Sequence, residues 1–179
     1  YQEDEKFMAL CHYIRQFHQE RRKVVVYVER RTTAVYLEQG LTQEIPHLRV
    51  ANAVRQVNRG ARLKEFEEVL ELLFDFAPEA NADKIPDGHC PQPYDVFLTT
   101  DAYGAGINLQ DASVIISYDL AWTPDILIQR AGRILRFWRH PRRVHLYVFV
   151  SDFREDREGM QQMNGINRRL ESLTRRSQH

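Results

Sequence analysis

The chain has 179 residues, 43% of them apolar and 28% charged, and its 25 Lys plus Arg balance its 25 Asp plus Glu. This is the composition of a folded globular domain and excludes a disordered, collagenous or low-complexity chain. A net charge of zero excludes a strongly basic, histone-like binder but leaves room for a local basic stripe. Cys11 and Cys90 are the only cysteines. They are too few for a disulfide framework and form no C-x-x-C pair, which points to a reducing cytosol and away from structural zinc. No apolar run approaches the ~18–20 residues that a membrane helix needs. The acidic, amphipathic N-terminus does not read as a signal peptide. The sequence opens at Tyr1 rather than Met, so a piece of a longer protein is expected.

Phe7, Leu10, Cys11, Ile14 and Phe17 recur at helical spacing and predict a helix over 4–19. Val24-Val25-Val26-Tyr27-Val28 follows, a short β-branched run that reads as a strand buried on both faces, the mark of a parallel sheet. Thr32 or Thr33 is expected to cap a helix through Gln39 that Gly40 ends. A weaker strand is expected over 48–54. Leu63, Phe66, Val69, Leu70, Leu73 and Phe76 then form one face of an amphipathic helix whose outer face carries Glu65, Glu67, Glu68 and Glu71.

A loop with Pro86, Pro91 and Pro93 comes next, long enough to be either mobile or an inserted functional loop. Val96 to Thr99 reads as a strand, 101–111 as a glycine-bearing loop, and Val114 to Tyr118 as another strand. A helix over 125–135, a strand over 144–150 and a closing helix marked by Met160, Met163, Ile166, Leu170 and Leu173 complete the chain. Five strands alternating with helices imply an α/β fold, a parallel sheet with helices on both faces. Ligands in such sheets sit at the C-terminal ends of the strands, so the loops after Val28, Thr99 and Tyr118 are the places to look.

Two segments concentrate chemistry. In Gln129-Arg130-Ala131-Gly132-Arg133-Ile134-Leu135-Arg136, Arg133 and Arg136 are three apart and Gln129 and Arg133 four apart, so all three project from one helical edge. Arginine offers phosphate a planar, permanently charged fork, and Gly132 permits another backbone to approach. Six arginines and no acid lie between Arg130 and Arg143, an excess that suits an anion site or a nucleic-acid-facing edge. The competing reading is a basic helix end solvated in water. The second segment, Thr99-Thr100-Asp101-Ala102-Tyr103-Gly104-Ala105-Gly106-Ile107-Asn108-Leu109-Gln110, directly follows a strand. Such loops let backbone N–H groups meet phosphate or ribose, although a plain tight turn also uses Gly-x-Gly.

In order along the chain, these segments with Tyr118-Asp119-Leu120, Trp122-Thr123-Pro124 and Phe76-Ala77-Pro78 form one constellation. It resembles motifs V and VI of superfamily 2 helicases and translocases, most of all the Swi/Snf-like branch that includes the bacterial RNA-polymerase-associated ATPase. Val24 to Thr33 resembles motif IV. The resemblance implies a RecA-like three-layer α/β/α fold with a mainly parallel sheet, residues 1–179 forming the second RecA-like domain of a motor. It implies that Arg133 and Arg136 are arginine fingers, and that Gly106, Asn108 and Gln129 meet the nucleotide. It further implies that Thr100, with Arg30 and Arg31, contacts nucleic-acid backbone. Arg130 is expected to be structural. Asp101 would orient its loop or cap a turn, and Asp119 would signal between sites or cap a turn.

The sequence departs from the Swi/Snf pattern at Arg136-Phe137-Trp138-Arg139-His140, where Ile-Gly-Gln is usual. It also contains no G-x-x-x-x-G-K-[ST] phosphate loop and no D-E-x-H acid pair. The implied partner is therefore a first RecA-like domain that carries the Walker motifs and holds ATP and Mg2+, with no metal site in this chain. Nucleic acid, with DNA favoured, is the other partner, no membrane is involved, and a cytoplasmic, nucleoid-associated setting in a bacterium or archaeon is expected. The isolated chain is expected to be inactive. A Rossmann-type module is disfavoured because Glu29-Arg30-Arg31, not glycines, follows the first strand. A degenerate helicase-like scaffold without ATPase activity is the remaining alternative.

Overall fold

A computed structural model describes residues 4–54, 62–102, 108–119, 123–135 and 143–149. In chain order the elements are α1 (Glu5–Gln19), β1 (Val24–Tyr27), α2 (Arg31–Glu44), β2 (Val50–Asn52), α3 (Arg62–Phe76), β3 (Val96–Thr99), β4 (Val114–Ser117), α4 (Pro124–Ile134) and β5 (His145–Val148). The five strands form one sheet in the order β2-β3-β1-β4-β5, every pair parallel. The α/β class and the parallel sheet expected from the sequence are therefore present.

The uninterrupted apolar strands are explained by burial on both sides. Val24, Val26 and Val28 pack with Phe7, Leu10, Ile14 and Phe17 of α1 and Leu37 and Leu41 of α2. Val25 and Tyr27 point the other way, into a second cluster with Val69, Leu73 and Phe76 of α3 and Ile134 of α4. The register aligns Tyr27 with Thr99 on one side and with Ser117 on the other. The three central strands thus end level, and their following loops open on a common edge.

Several boundaries differ from the sequence expectation for physical reasons. α2 begins at Arg31, with Arg30 as its N-cap residue lacking a side-chain cap, so neither Thr32 nor Thr33 caps it. It also runs through Gly40, which is buried in the helix with Ala34, Leu37 and Leu41 at spacings of three and four. The stop comes from Pro46, which forces the preceding Ile45 into extended backbone. β2 is shorter than 48–54 because Asn52 Oδ1 accepts the Val54 N–H at 3.0 Å and turns the chain away from the sheet.

The Pro-containing connection is tied to its surroundings. Asp111 accepts the N–H groups of Glu79 and Ala80 at 3.0 and 2.8 Å. His89 Nε2 lies 2.9 Å from Asp75 Oδ1, which also accepts the Gln92 N–H. The expected C-terminal helix over 160–173, Trp122, Trp138 and the side chains of Leu63, Glu65 and Phe66 lie outside the described residues.

Candidate nucleotide and nucleic-acid site

α4 starts where Thr123 is extended and Pro124 occupies the first turn, a position that needs no backbone donor. Asp125 in its first turn and Arg133 in its last complement the helix dipole. Leu127, Arg130 and Ile134 form its buried stripe, so an arginine takes a core position on an otherwise apolar face. Gln129 and Gly132 are exposed, and Arg133 is half-buried beside them. Gln129 and Arg133 therefore share the outer edge, as their spacing predicts.

Buried Arg130 is held from three sides. Nε and Nη2 donate to Asp101 Oδ1 and Oδ2 at 2.8 and 2.7 Å, a bidentate fork. Nη1 donates to Ser117 Oγ. The guanidinium carbon lies 4.7 Å from the Tyr27 ring centroid, in cation–π contact. Ser117 Oγ in turn donates to the Asp119 carbonyl at 2.9 Å. Burial pushes the Tyr27 phenol up to about 12, against the opposing positive charges of Arg133 and Arg130. Arg133 is thus close enough to Tyr27 for its charge to be felt there.

The other expected residues fall around this hub. Thr100 is half-buried, immediately after β3, and its carbonyl accepts Thr99 Oγ1 at 3.2 Å. Arg30 and Arg31 are exposed at the start of α2. The preceding Glu29 N–H donates to Asp119 Oδ2 at 2.7 Å, and Lys6 Nζ sits 3.5 Å from Asp119 Oδ1. Asn108 is half-buried and faces the segment after α3: its Nδ2 donates to the Ala80 carbonyl at 3.3 Å, and its own carbonyl accepts Asn81 Nδ2 at 3.0 Å. Gly106 and Arg136 lie outside the described residues.

A Cβ built at Gly132 meets nothing within 4 Å among the described residues, so the position is open.

Sequence reasoning passed over Tyr27 and Ser117. A signal existed: β1, β3 and β4 are apolar until their last residues, Tyr27, Thr99 and Ser117, which place three hydroxyls in a row at the functional edge. A separate cavity of about 370 Å³ beside β2 is lined by Glu38, Asn52, Glu68, Glu71 and Asp75 among others. Its negative lining is unsuited to a nucleotide's phosphates. Among the described residues no group of three His, Cys, Asp or Glu is arranged to hold a metal ion, and no helix is long and apolar enough to cross a membrane. The donors on the outer edge of α4 fit the phosphate end of a nucleotide: a half-buried guanidinium at Arg133 and an exposed amide at Gln129.

Part of the chain is similar to known helicases. Residues 78–137 match the helicase conserved C-terminal domain, a span that includes the loop after β3, all of α4 and Arg136. The chain is 33% identical over 130 residues to the uncharacterised ATP-dependent helicase YqhH of Bacillus subtilis (strain 168), covering 72% of this chain and 19% of that protein. The chain thus spans about a fifth of the length of this curated relative. Its fold resembles the C-terminal part of the Fun30 ATPase domain, with a TM-score of 0.63, 16% identity and coverage of 90% of this chain and 45% of the other. It also resembles the E. coli DEAD-box protein SrmB, solved bound to the regulator of ribonuclease activity A, with a TM-score of 0.56, 17% identity and coverage of 91% and 77%. Residues 78–137 thus match a helicase C-terminal domain, and the described residues have the RecA-like fold of the two solved structures.

Proposed function

We propose that this chain is the second RecA-like domain of an ATP-dependent nucleic-acid translocase of the Swi/Snf-like branch, related to the bacterial RNA-polymerase-associated ATPase. It works in a cytoplasmic, nucleoid-associated setting, with DNA as its track. A first RecA-like domain of the same protein holds ATP and Mg2+, and this domain closes the site from the other side. The observation that carries the reading is the setting of Arg133, half-buried on the outer edge of α4 one turn from the anchored Arg130.

When bound, ATP supplies a γ-phosphoryl group for transfer to water. Arg133 and Arg136 present guanidinium forks to the negative charge that develops on its oxygens, a contribution worth roughly 10³–10⁵ in rate. Gln129 orients the same group from the same helix edge. Asn108 and Gly106 serve the ribose, and Asn108 is held in place through the segment after α3. Thr100, Arg30 and Arg31 contact the nucleic-acid backbone rather than base edges, which suits a motor that must move along any sequence. The separation of the two halves of the ATP site makes this domain inactive alone.

The test is ATP hydrolysis by the longer parent protein with no nucleic acid, duplex DNA, single-stranded DNA or RNA, with Arg136→Ala alongside. Stimulation by DNA that the substitution abolishes is expected. No hydrolysis by the unsubstituted protein under any condition would overturn the motor reading and favour a scaffold without ATPase activity.

A further inference from the structure

The site above lies at the C-terminal ends of the strands. A separate groove of about 310 Å³ lies at their opposite ends, where α1 gives way to β1 and the chain enters β4. It is lined by Arg21, Arg22 and Lys23 together with Ser113, Asp111 and Glu79. Its volume is at the small end of ligand sites, which run roughly 300–1,000 Å³.

The groove holds unused hydrogen-bond donors. Arg21 is exposed, and its side chain has no partner among the described residues. Ser113 Oγ accepts Arg22 Nε at 3.0 Å, which leaves the hydroxyl hydrogen to donate. Arg22 Nη2 also donates to the Ser113 carbonyl at 3.2 Å, so this second guanidinium is fixed. Lys23 Nζ donates to the Phe76 carbonyl and keeps further hydrogens. Asp111 is less available than its charge suggests, because its two oxygens accept the N–H groups of Glu79 and Ala80. Burial holds the Lys23 ammonium below its ordinary range, against the raising pull of Asp111, Asp95 and Glu79. An anion beside Lys23 would offset that burial.

Arg21 stands in left-handed backbone, with φ 54°. It follows Glu20, the C-cap of α1. Its N–H donates to the His18 carbonyl at 3.0 Å, and the Arg22 N–H donates to the Phe17 carbonyl at 2.9 Å. This is the paired ending of a helix that usually takes glycine. A residue with a Cβ is strained there. Glycine would end α1 without that strain, and the arginine side chain bonds nothing in the fold. Its presence is explained by the guanidinium that the bend sets at the groove.

We propose that this groove binds a small molecule through its phosphate group, held by the Arg21 guanidinium, the Lys23 ammonium and the Ser113 hydroxyl. A tetrahedral phosphate offers a terminal oxygen to each of these donors, which a carboxylate does not, and arginine matches its oxygens with a planar fork. The inference is independent of the motor reading and concerns the other end of the sheet.

The experiment acylates the longer parent protein with an N-hydroxysuccinimide ester of acetic acid and reads Lys23 by peptide mass spectrometry. Inorganic phosphate and ribose 5-phosphate are titrated separately, with exposed Lys84 as the internal reference. Protection of Lys23 but not of Lys84 is expected. Equal protection by the two marks a site for the free anion, and protection by ribose 5-phosphate at lower concentration marks a sugar phosphate. Arg21→Gly is expected to raise the half-protecting concentration by roughly 10- to 100-fold, the worth of a charge-assisted hydrogen bond. Glu79→Gln is expected to lower it by about 2- to 5-fold, by removing an exposed like charge. The thermal midpoint of Arg21→Gly should rise, because glycine adopts left-handed backbone freely. A fallen midpoint would show that the arginine serves the fold and would overturn the proposal. So would protection by neither phosphate, or protection unchanged in Arg21→Gly. Protection by polyglutamate alone would overturn it in favour of a docking surface for an acidic protein segment.

Discussion

Breaking the Asp101–Arg130 pair from its two ends is expected to have unequal costs. In Asp101→Ala the guanidinium stays charged and enclosed between Tyr27 and Ser117 without its counter-charge. Removing one partner of a buried pair costs about 3–5 kcal/mol; the half-exposed position of Asp101 lets water reach the vacated side, so the lower end, about 3 kcal/mol, applies. In Arg130→Met the carboxylate left behind is already half in water, and the thioether chain refills the space over Tyr27. Ser117 keeps its bond to the Asp119 carbonyl. The cost is then about 1 kcal/mol, near that of an exposed pair. Urea unfolding of the 179-residue chain reads both numbers. With a slope of about 2 kcal/mol per molar, the midpoint should fall by about 1.5 M for Asp101→Ala and about 0.5 M for Arg130→Met. Equal shifts, or a larger shift for Arg130→Met, would refute the reasoning, because they would mean that the arginine is not the enclosed partner.

Gly132→Ala is expected to raise the stability of the isolated chain by about 0.5–1 kcal/mol, since the new methyl meets nothing among the described residues and the helix gains propensity; thermal unfolding checks it, and destabilisation would contradict the open surroundings. Of the two thiols, Cys90 is exposed and Cys11 is buried, so a disulfide-exchange reagent at pH 8 should titrate one thiol in the folded chain and two in urea. Burial pushes the Cys11 thiol from an ordinary 9.0 up to about 11. Its share of stability is therefore whole below pH 9 and is lost as pH rises toward 11, a decline that Cys11→Ser should remove from the pH profile of the unfolding midpoint.

The layered fold was legible because burial on both faces imposes long apolar strands, and Val24 to Val28 and Val114 to Tyr118 carry that pattern openly. The spacing of Gln129 and Arg133 likewise placed both on the outer edge of α4. Arg130 needed the third dimension. Its partners Asp101, Ser117 and Tyr27 come from three different strand ends, and only the parallel register brings them together. Gly40 misled because a glycine after a periodic run is the usual stop signal, whereas here its small size suits a buried helix face and Pro46 sets the end. The connection over 77–95 looked loose by composition, yet Asn81, Asp75 and Asp111 bond it to the rest of the chain.

The central claim is that Arg133 acts on the phosphoryl group in its transition state. The most direct test is steady-state ATP hydrolysis by the longer parent protein on its stimulating nucleic acid, comparing Arg133→Ala with the unsubstituted protein. An interaction made only in the transition state lowers kcat and kcat/KM together, by about 10³-fold or more for an arginine finger, and leaves KM for ATP nearly unchanged. A full kcat with a raised KM would show Arg133 to be a ground-state contact, and no effect on either constant would remove it from the ATP site altogether.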